Sequence, residues 1–313
     1  MILCVGGTPA MQRTLFFEVL EPGAVNRAYK VRVTASGKVV NAARTGTVLG
    51  GQALLATFLG GDSGRFVARE LDAQGVPYEV VWTEDDAPTR TCATLIPDDG
   101  PVTELVEEAL PVSEKDVATL EEIVVRRLSG AEILCLIGSF PPGVPDDFYA
   151  RLAKVAREAG VPVLVDAQKA PLREVLAEGP FLVKPNLEEA AATLNLSEDN
   201  GEPDARDAIS ALTKERASWA LVSTGASGSL LGDSSGNLWR ITPPRVEAIN
   251  PIGSGDALGA GLALSLGRDD SVPEAVVYGT ACAAANALTP TSGEVRCTDV
   301  DALLPRVQLE RLA

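Results

Sequence analysis

Short apolar runs ending in glycine, serine or proline alternate along this chain with stretches of helical period, and that alternation limits its fold more than any other feature. Residues 2–5, 54–59, 133–137, 163–165, 181–183 and 220–222 have the length and apolar character of buried strands. Between and after them, residues 39–49, 65–74, 114–128, 147–159, 187–194 and 205–214 repeat apolar side chains at helical spacing. Such a chain is expected to form an α/β structure, with a mainly parallel sheet flanked by helices. Several runs lead straight into turns: Ile137-Gly138-Ser139-Phe140-Pro141-Pro142-Gly143, Lys184-Pro185-Asn186 and Ser223-Thr224-Gly225-Ala226-Ser227-Gly228. Open α/β sheets bind ligands at these carboxyl ends. Residues 13–34 and 91–106 break the alternation and read as short strands joined by turns such as Glu21-Pro22-Gly23 and Pro97-Asp98-Asp99-Gly100. They are expected to meet as a small second sheet, either a lid over a site or plain surface hairpins.

The run Asn250-Pro251-Ile252-Gly253-Ser254-Gly255-Asp256-Ala257-Leu258-Gly259-Ala260-Gly261 carries the most chemistry. A glycine-rich turn feeding a helix presents backbone N–H groups without intrahelical partners, backed by the helix dipole, and so suits an anion. Asp256 is expected to open that helix, which runs to about Leu266. As a helix cap it needs no further explanation. Beside Gly253, Ser254 and Gly255 it is also placed to remove a proton next to developing negative charge, as phosphoryl transfer to an alcohol requires. Gly255, Ala260 and Gly261 are expected to let this helix pack closely on a strand.

Composition removes other classes. Lys and Arg total 27 against 43 Asp and Glu, a net charge of −16 without a basic cluster, which argues against nucleic acid or an anionic membrane as partner. No apolar stretch is long enough to span a bilayer. The start, Met1-Ile2-Leu3-Cys4-Val5-Gly6-Gly7, reads as a first strand and not as a secretory signal. Cys4, Cys92, Cys135, Cys282 and Cys297 are odd in number and widely spaced, as expected of free thiols in a reducing cytoplasm. Histidine is absent, so Ser-His-Asp and Cys-His machinery and imidazole metal sites are excluded.

Nine motifs in collinear order make the chain similar to the PfkB, or ribokinase-like, sugar kinases over essentially its whole length. In order they are Thr8-Pro9-Ala10-Met11-Gln12, Val25-Asn26-Arg27, Ser36-Gly37-Lys38-Val39-Val40-Asn41, Thr89-Arg90, Thr103-Glu104, the Gly138–Gly143 turn, Lys184-Pro185-Asn186-Leu187-Glu188-Glu189, the Ser223–Gly228 turn and the Asn250 run. The Gly60–Gly64 turn, GGDSG, belongs to the same resemblance, which is closest to the branch of tagatose-6-phosphate kinase and 1-phosphofructokinase. It implies one doubly wound α/β kinase domain over residues 1–313, with a small β-sheet lid, ATP as donor, Mg²⁺ as cofactor and a cytoplasmic homodimer pairing through lid strands.

The resemblance also implies residue roles. Gly37, Lys38, Arg90 and Arg27 are expected at a phosphate already on the substrate, which suits an ammonium and planar guanidinium donors; taken singly, each cation is an ordinary surface charge. Asn41, Gln12 and Ser139 are expected on the acceptor side. Lys184, Ser223, Gly225, Gly228 and Asn286 are expected near the nucleotide. Asn186 and Glu189 are expected in the Mg²⁺ environment, acting through water, and their spacing equally forms a capping box.

Three residues depart from the family pattern. Gln12 stands in place of an aspartate that anchors sugar hydroxyls, Thr8 in place of an asparagine, and Val39 in place of a glycine where backbone approaches ligand. All are expected on the acceptor side, so phosphoryl transfer is retained while the acceptor stays open. The expected acceptor is a ketohexose phosphate of the tagatose 6-phosphate or fructose 1-phosphate type. The alternatives are an unphosphorylated sugar or nucleoside, or a sensor that binds sugar phosphate without turnover.

Overall fold

In the computed structural model, which describes residues 1–83, 87–196 and 202–313, the apolar runs pair into a ten-stranded sheet. Its strands are β1 (Ile2–Val5), β4 (Ala53–Leu59), β5 (Tyr78–Trp82), β8 (Ile133–Ile137), β9 (Val163–Asp166), β10 (Leu182–Val183), β11 (Trp219–Ser223), β12 (Ser229–Asp233), β13 (Leu238–Thr242) and β14 (Gln308–Arg311). A separate four-stranded sheet holds β2 (Ala10–Phe17), β3 (Lys30–Ser36), β6 (Thr91–Pro97) and β7 (Thr103–Val106). The helices are α1 (Lys38–Val48), α2 (Gly61–Ala73), α3 (Glu114–Leu128), α4 (Phe148–Glu158), α5 (Lys169–Leu176), α6 (Leu187–Leu194), α7 (Glu202–Lys214), α8 (Ser254–Leu266), α9 (Val272–Ala287) and α10 (Cys297–Leu303).

The large sheet runs β14-β13-β12-β11-β10-β9-β8-β1-β4-β5. Every pair from β11 to β5 is parallel. The chain winds from β1 to β4 and β5 on one side, then crosses back to β8 on the other, so the topology switches beside β1. Alternation along β1 sends Ile2 and Cys4 into one apolar layer with α1, α2, α8 and α9, and Leu3 and Val5 into the opposite layer with α3, α4 and α5. Because both faces are covered, β1, β4, β8 and β9 are buried along their whole length, which explains their unbroken apolar runs.

Several boundaries differ from the sequence expectation. The helix expected from residue 65 begins at Gly61, because the GGDSG turn forms its first turn. The helix carrying Asp256 begins at Ser254, with Gly253 as N-cap at φ +85°, so Asp256 is its third residue and not its cap. A side chain at Gly253 would also sit 2.9 Å from the Gly293 nitrogen. The small residues expected to bring this helix onto a strand bring it instead onto α9: a Cβ on Gly261 would lie 2.6 Å from Cys282 Sγ, and one on Gly279 2.5 Å from the Leu258 carbonyl. The antiparallel edge β12–β14 goes beyond the expected parallel sheet. Its outermost strand, Gln308-Leu309-Glu310-Arg311, is exposed throughout and offered no alternating pattern to read.

The segments expected to form a small sheet do meet. β2 pairs antiparallel with β3 and parallel with β6, placing Gln12 opposite Thr34 and Cys92. Among the described residues, no helix is long and apolar enough to cross a membrane. All five cysteines are free thiols.

Candidate active site

Between the two sheets lies a cavity of about 1300 Å³. Strand-end residues of the large sheet line one side: Ser139 after β8, Asp166 ending β9, Lys184 after β10 and Ser223 ending β11. Ala10, Gln12, Cys92 and Glu104 of the small sheet line the other.

The first turn of α8 faces this space with Gly253, Ser254, Gly255 and Asp256. The Ser254 N–H donates to the Pro251 carbonyl at 3.2 Å, an engagement the sequence reading did not foresee. The N–H groups of Gly255 and Asp256 follow in the first turn, where a helix has no acceptor of its own for them. Asp256 is buried, and its Oδ2 accepts a 2.8 Å hydrogen bond from Asn41 Nδ2. Burial pushes its carboxyl up to about 7, helped by the nearby Asp166 charge and opposed by Lys38, the Asn41 hydrogen bond and Lys184. Asn41, expected to meet a substrate hydroxyl, therefore positions Asp256, while its Oδ1 accepts from Ser36 Oγ at 3.2 Å.

Asn286 departs further from expectation. Read from sequence as a nucleotide neighbour, it is fully buried and braces the Gly253 turn. Its Nδ2 donates to the Ile252 carbonyl at 3.0 Å and to Ser254 Oγ at 3.1 Å, while its Oδ1 accepts the Gly293 N–H at 2.7 Å.

Asp166 is a buried charged residue of the cavity that the sequence reading did not pick out. It sits buried between two ammonium groups, with Lys184 Nζ 2.8 Å from Oδ2 and Lys38 Nζ 3.6 Å from Oδ1. The longer distance is an ion pair beyond hydrogen-bond reach, and Oδ1 has no hydrogen-bond partner. Burial works to raise its pKa, but Lys184 and Lys38 outweigh that and hold it below the ordinary aspartate range. The available signal was a single carboxylate ending the apolar run Val163-Leu164-Val165-Asp166 at a ligand-facing strand end. The Lys184 stem passes over Gly255 and Gly259, where a Cβ would stand 3.8 Å from Nζ and 3.4 Å from Cε.

Lys38, expected at a substrate phosphate, pairs instead with Asp166 and with Glu189, whose Oε1 lies 2.9 Å away. Asp166 raises its pKa well above the usual lysine value against the pull of burial. Gly37 also lines the cavity, in a left-handed conformation at φ +101°. Glu189 Oε2 accepts the Asn186 N–H at 3.0 Å and Asn186 Oδ1 accepts the Glu189 N–H at 2.7 Å, which completes the capping box. No group of three or more His, Cys, Asp or Glu able to hold a metal occurs among the described residues. Asn186 and Glu189 are oxygen-bearing side chains on the cavity wall, where an ion bound mainly by phosphate and water would need few protein ligands.

On the acceptor wall, Gln12 Nε2 donates to Thr94 Oγ1 at 2.8 Å. Arg90 is anchored to the Thr8 carbonyl at 3.1 Å and the Glu107 carbonyl at 3.4 Å, and its buried Nε has no partner. The GGDSG turn sets that position: the Gly60 N–H donates to Thr89 Oγ1 at 3.0 Å, and Ser63 Oγ donates to the Thr89 carbonyl at 2.5 Å. Thr8 Oγ1 stands 3.4 Å from Ser139 Oγ. Two expected members lie elsewhere. Arg27 is exposed and off the cavity wall. Val39 is a core residue against Gly6, where a Cβ would come 2.8 Å from Val39 Cβ, so its branched side chain does not obstruct ligand.

Ser223 and Gly225 line the cavity as expected of the turn after β11. Gly228 lies behind it, under β13, where a Cβ would meet the Ile241 carbonyl at 2.3 Å.

Residues 1–296 match the profile of the pfkB family carbohydrate kinases. Phosphofructokinase-2 from Escherichia coli in complex with fructose-6-phosphate superposes with a TM-score of 0.87 at 27% identity, covering 97% of this chain and 98% of the other. A Thermotoga maritima protein described as a possible 1-phosphofructokinase gives 0.89 at 23% identity, covering 100% and 99%. Ribokinase from Arabidopsis thaliana complexed with ribose and ATP gives 0.77 at 22% identity, covering 97% and 98%, and shares the ribokinase-like fold. The chain belongs to the pfkB family of carbohydrate kinases.

Proposed function

We propose that this kinase transfers the γ-phosphoryl group of ATP to a hydroxyl of a phosphorylated ketohexose, of the tagatose 6-phosphate or fructose 1-phosphate kind. The observation that carries the reading is Asp256: a buried carboxylate, held by Asn41, in the first turn of a helix that faces the cavity. The acceptor hydroxyl gives its proton to Asp256 as its oxygen bonds to the γ-phosphorus, and the bond to the β–γ bridging oxygen breaks to leave ADP. A carboxyl raised to about 7 holds that proton far better than an ordinary aspartate would. The helix-start amides of Gly255 and Asp256, with Lys38 and Lys184, offset charge on the group in transit. Ser223 and Gly225 lie against the nucleotide. Asn186 and Glu189 would be the residues to meet Mg²⁺ through water, and the ion would supply further neutralisation of phosphate charge when bound.

Arg90 is the residue assigned to the acceptor's phosphate, since its Nε is buried and unpartnered at the cavity. Three observations favour a second reading, an unphosphorylated sugar or nucleoside. Lys38 is already paired with two carboxylates, Arg27 stands off the wall, and Glu104 and Glu108 line the same end as Arg90. The small sheet serves as a lid that excludes water. Its exposed apolar side chains, Val25, Leu105 and Val106 among them, suit a homodimer through lid strands. The five free thiols suit the cytoplasm.

A coupled ADP-release screen over sugars, sugar phosphates and nucleosides tests the reading. Turnover with a ketohexose phosphate is expected. Turnover confined to unphosphorylated acceptors selects the second reading, and binding of sugar phosphate without ADP release from any acceptor overturns both.

A further inference from the structure

Lys38, Asn41 and Arg44 follow one another three apart along α1, so each neighbours the next on the helix surface. The first two line the cavity, whereas Arg44 lies behind it and is only 4% exposed. A guanidinium is costly to bury unless its donors are met. Its hydrogen-bond partners among the described residues are neutral carbonyl oxygens. Nε donates to Gln74 Oε1 at 2.7 Å, Nη1 to the Ser292 carbonyl at 2.8 Å, and Nη2 to the Ala35 carbonyl. Burial lowers the Arg44 pKa to about 10 while Glu294 and Glu70 favour its charge, so it is a cation at neutral pH.

The two main-chain carbonyls belong to the residues directly before Ser36 and Gly293, and these two bracket Asn41. Ser36 Oγ donates to Asn41 Oδ1 at 3.2 Å, which leaves Nδ2 to donate to Asp256. Gly293 stands so close that a Cβ there would lie 2.5 Å from Asn41 Cβ. Thr45 Oγ1 donates to the Gly293 carbonyl at 3.0 Å, and Asn286 accepts the Gly293 N–H. The N-cap of α8 packs on the same backbone, since a Cβ on Gly253 would meet the Gly293 nitrogen at 2.9 Å. The Ser292–Gly293 peptide is therefore a spacer between Asn41 and the Gly253 turn. We propose that Arg44 is a positioning residue for phosphoryl transfer: by gripping the chain ahead of Ser36 and of Gly293, it fixes the Asn41 amide on Asp256 and sets the place of the Gly253 turn. The inference rests on the reading of Asp256 as the base.

The test follows Asp256 directly, by nuclear magnetic resonance of protein labelled with ¹³C at its aspartate carboxyls, the signal being assigned by its absence from Asp256→Asn. Arg44→Met keeps most of the stem and removes the donors. Its Asp256 is expected to titrate about one pH unit higher than in the wild type, because the hydrogen bond to the ionised form is weakened. Its kcat is expected to fall by roughly 10–100-fold, with KM for the acceptor within a few-fold. In an Asn41→Ala background, Arg44→Met should move the titration no further, because both act through one hydrogen bond. Gln74→Ala, which removes only the contact to α2, should leave titration and kcat as in the wild type. If Arg44→Met does not fold, Thr45→Val frees the Gly293 carbonyl alone and should shift the titration in the same direction; no shift there overturns the inference. A folded Arg44→Met with lowered Tm but unchanged Asp256 titration or unchanged kcat shows a purely structural role and overturns it. A shift that adds in full to that of Asn41→Ala does the same. A shifted titration in a protein that releases no ADP with any acceptor supports the positioning and overturns the kinase reading.

Discussion

The wall that carries Asp256 and the wall that carries Gln12 and Arg90 face each other across one cavity, but they are held in place by different means. On the first, α8 and α9 are packed so closely that Gly261 and Gly279 admit no side chain, and Asn286, Asn41 and Asp166 fix the reacting groups from buried positions. The second is the underside of a small sheet. There β7 is exposed along its length and Arg90 is anchored by two main-chain carbonyls. On the proposed reading, the reaction is built into the core and the choice of acceptor is hung on its margin.

The largest effect that could break this contrast is loss of the proposed base. Asp256→Asn is expected to lower kcat by about 10²–10⁴-fold while ADP affinity, measured by calorimetry, stays within a few-fold. Near-normal turnover would remove Asp256 from the mechanism. On the opposite wall, Arg90→Ala is expected to raise KM for a phosphorylated acceptor by roughly one to two orders of magnitude, with a smaller change in kcat. Equal loss with an unphosphorylated acceptor would show that Arg90 holds the lid and not a phosphate.

The pH profile sharpens the same division. Asp256 must be ionised to take a proton, so the acid limb of kcat/KM is expected near pH 7 in the wild type. Lys38 and Asn41 both favour the ionised form, so Lys38→Met and Asn41→Ala should move that limb to higher pH. Gln12→Asn on the acceptor wall should leave it where it is.

Stability should move in the opposite sense to activity. Asp256 has a folded-state pKa raised from 3.8 to about 7, so its contribution is fully present below about pH 4 and is lost as pH rises through 7. Asp256→Asn should therefore have the higher Tm at pH 8, by several degrees, and lose that advantage near pH 4. An unchanged or lower Tm at pH 8 would mean that the carboxylate is not strained by its burial. The smallest functional effect is expected from Val39→Gly. It removes a core side chain at a cost of about 2–3 kcal/mol, seen in denaturant unfolding, yet leaves acceptor KM within a few-fold.

The sequence made the first wall legible because its chemistry is local. Gly253 to Asp256 are contiguous, and the strands before Ser139, Lys184 and Ser223 are unbroken apolar runs. It did not show which protein groups Asn41, Asn286 and Lys38 meet, because a side chain's direction depends on partners far away in the chain, here Asp256, Gly293 and Asp166. Asp166 escaped for the same reason, as its meaning comes from two lysines brought together by the fold. Val39 looked like an intrusion on ligand until the fold set it against Gly6. The exposed edge strand β14 left no period to find: it is held by main-chain pairing to β13 and by polar side chains, Glu310 on Arg240 and Arg311 on Trp239 and Asn237.

The chain enters or leaves the small sheet at four crossings: between Val5 and Ala10, between Ser36 and Lys38, between Trp82 and Thr91, and between Val106 and Glu114. If the small sheet closes on the cavity as proposed, α8 and α9 are too tightly interlocked to yield, and the movement falls to the connections outside them. Gly37 and Arg90 sit in two of the crossings, so the residues proposed to feel the acceptor also stand where such a cover would turn. On that proposal a ligand gripped there does mechanical work at the pivot itself, and a poor fit leaves the door ajar.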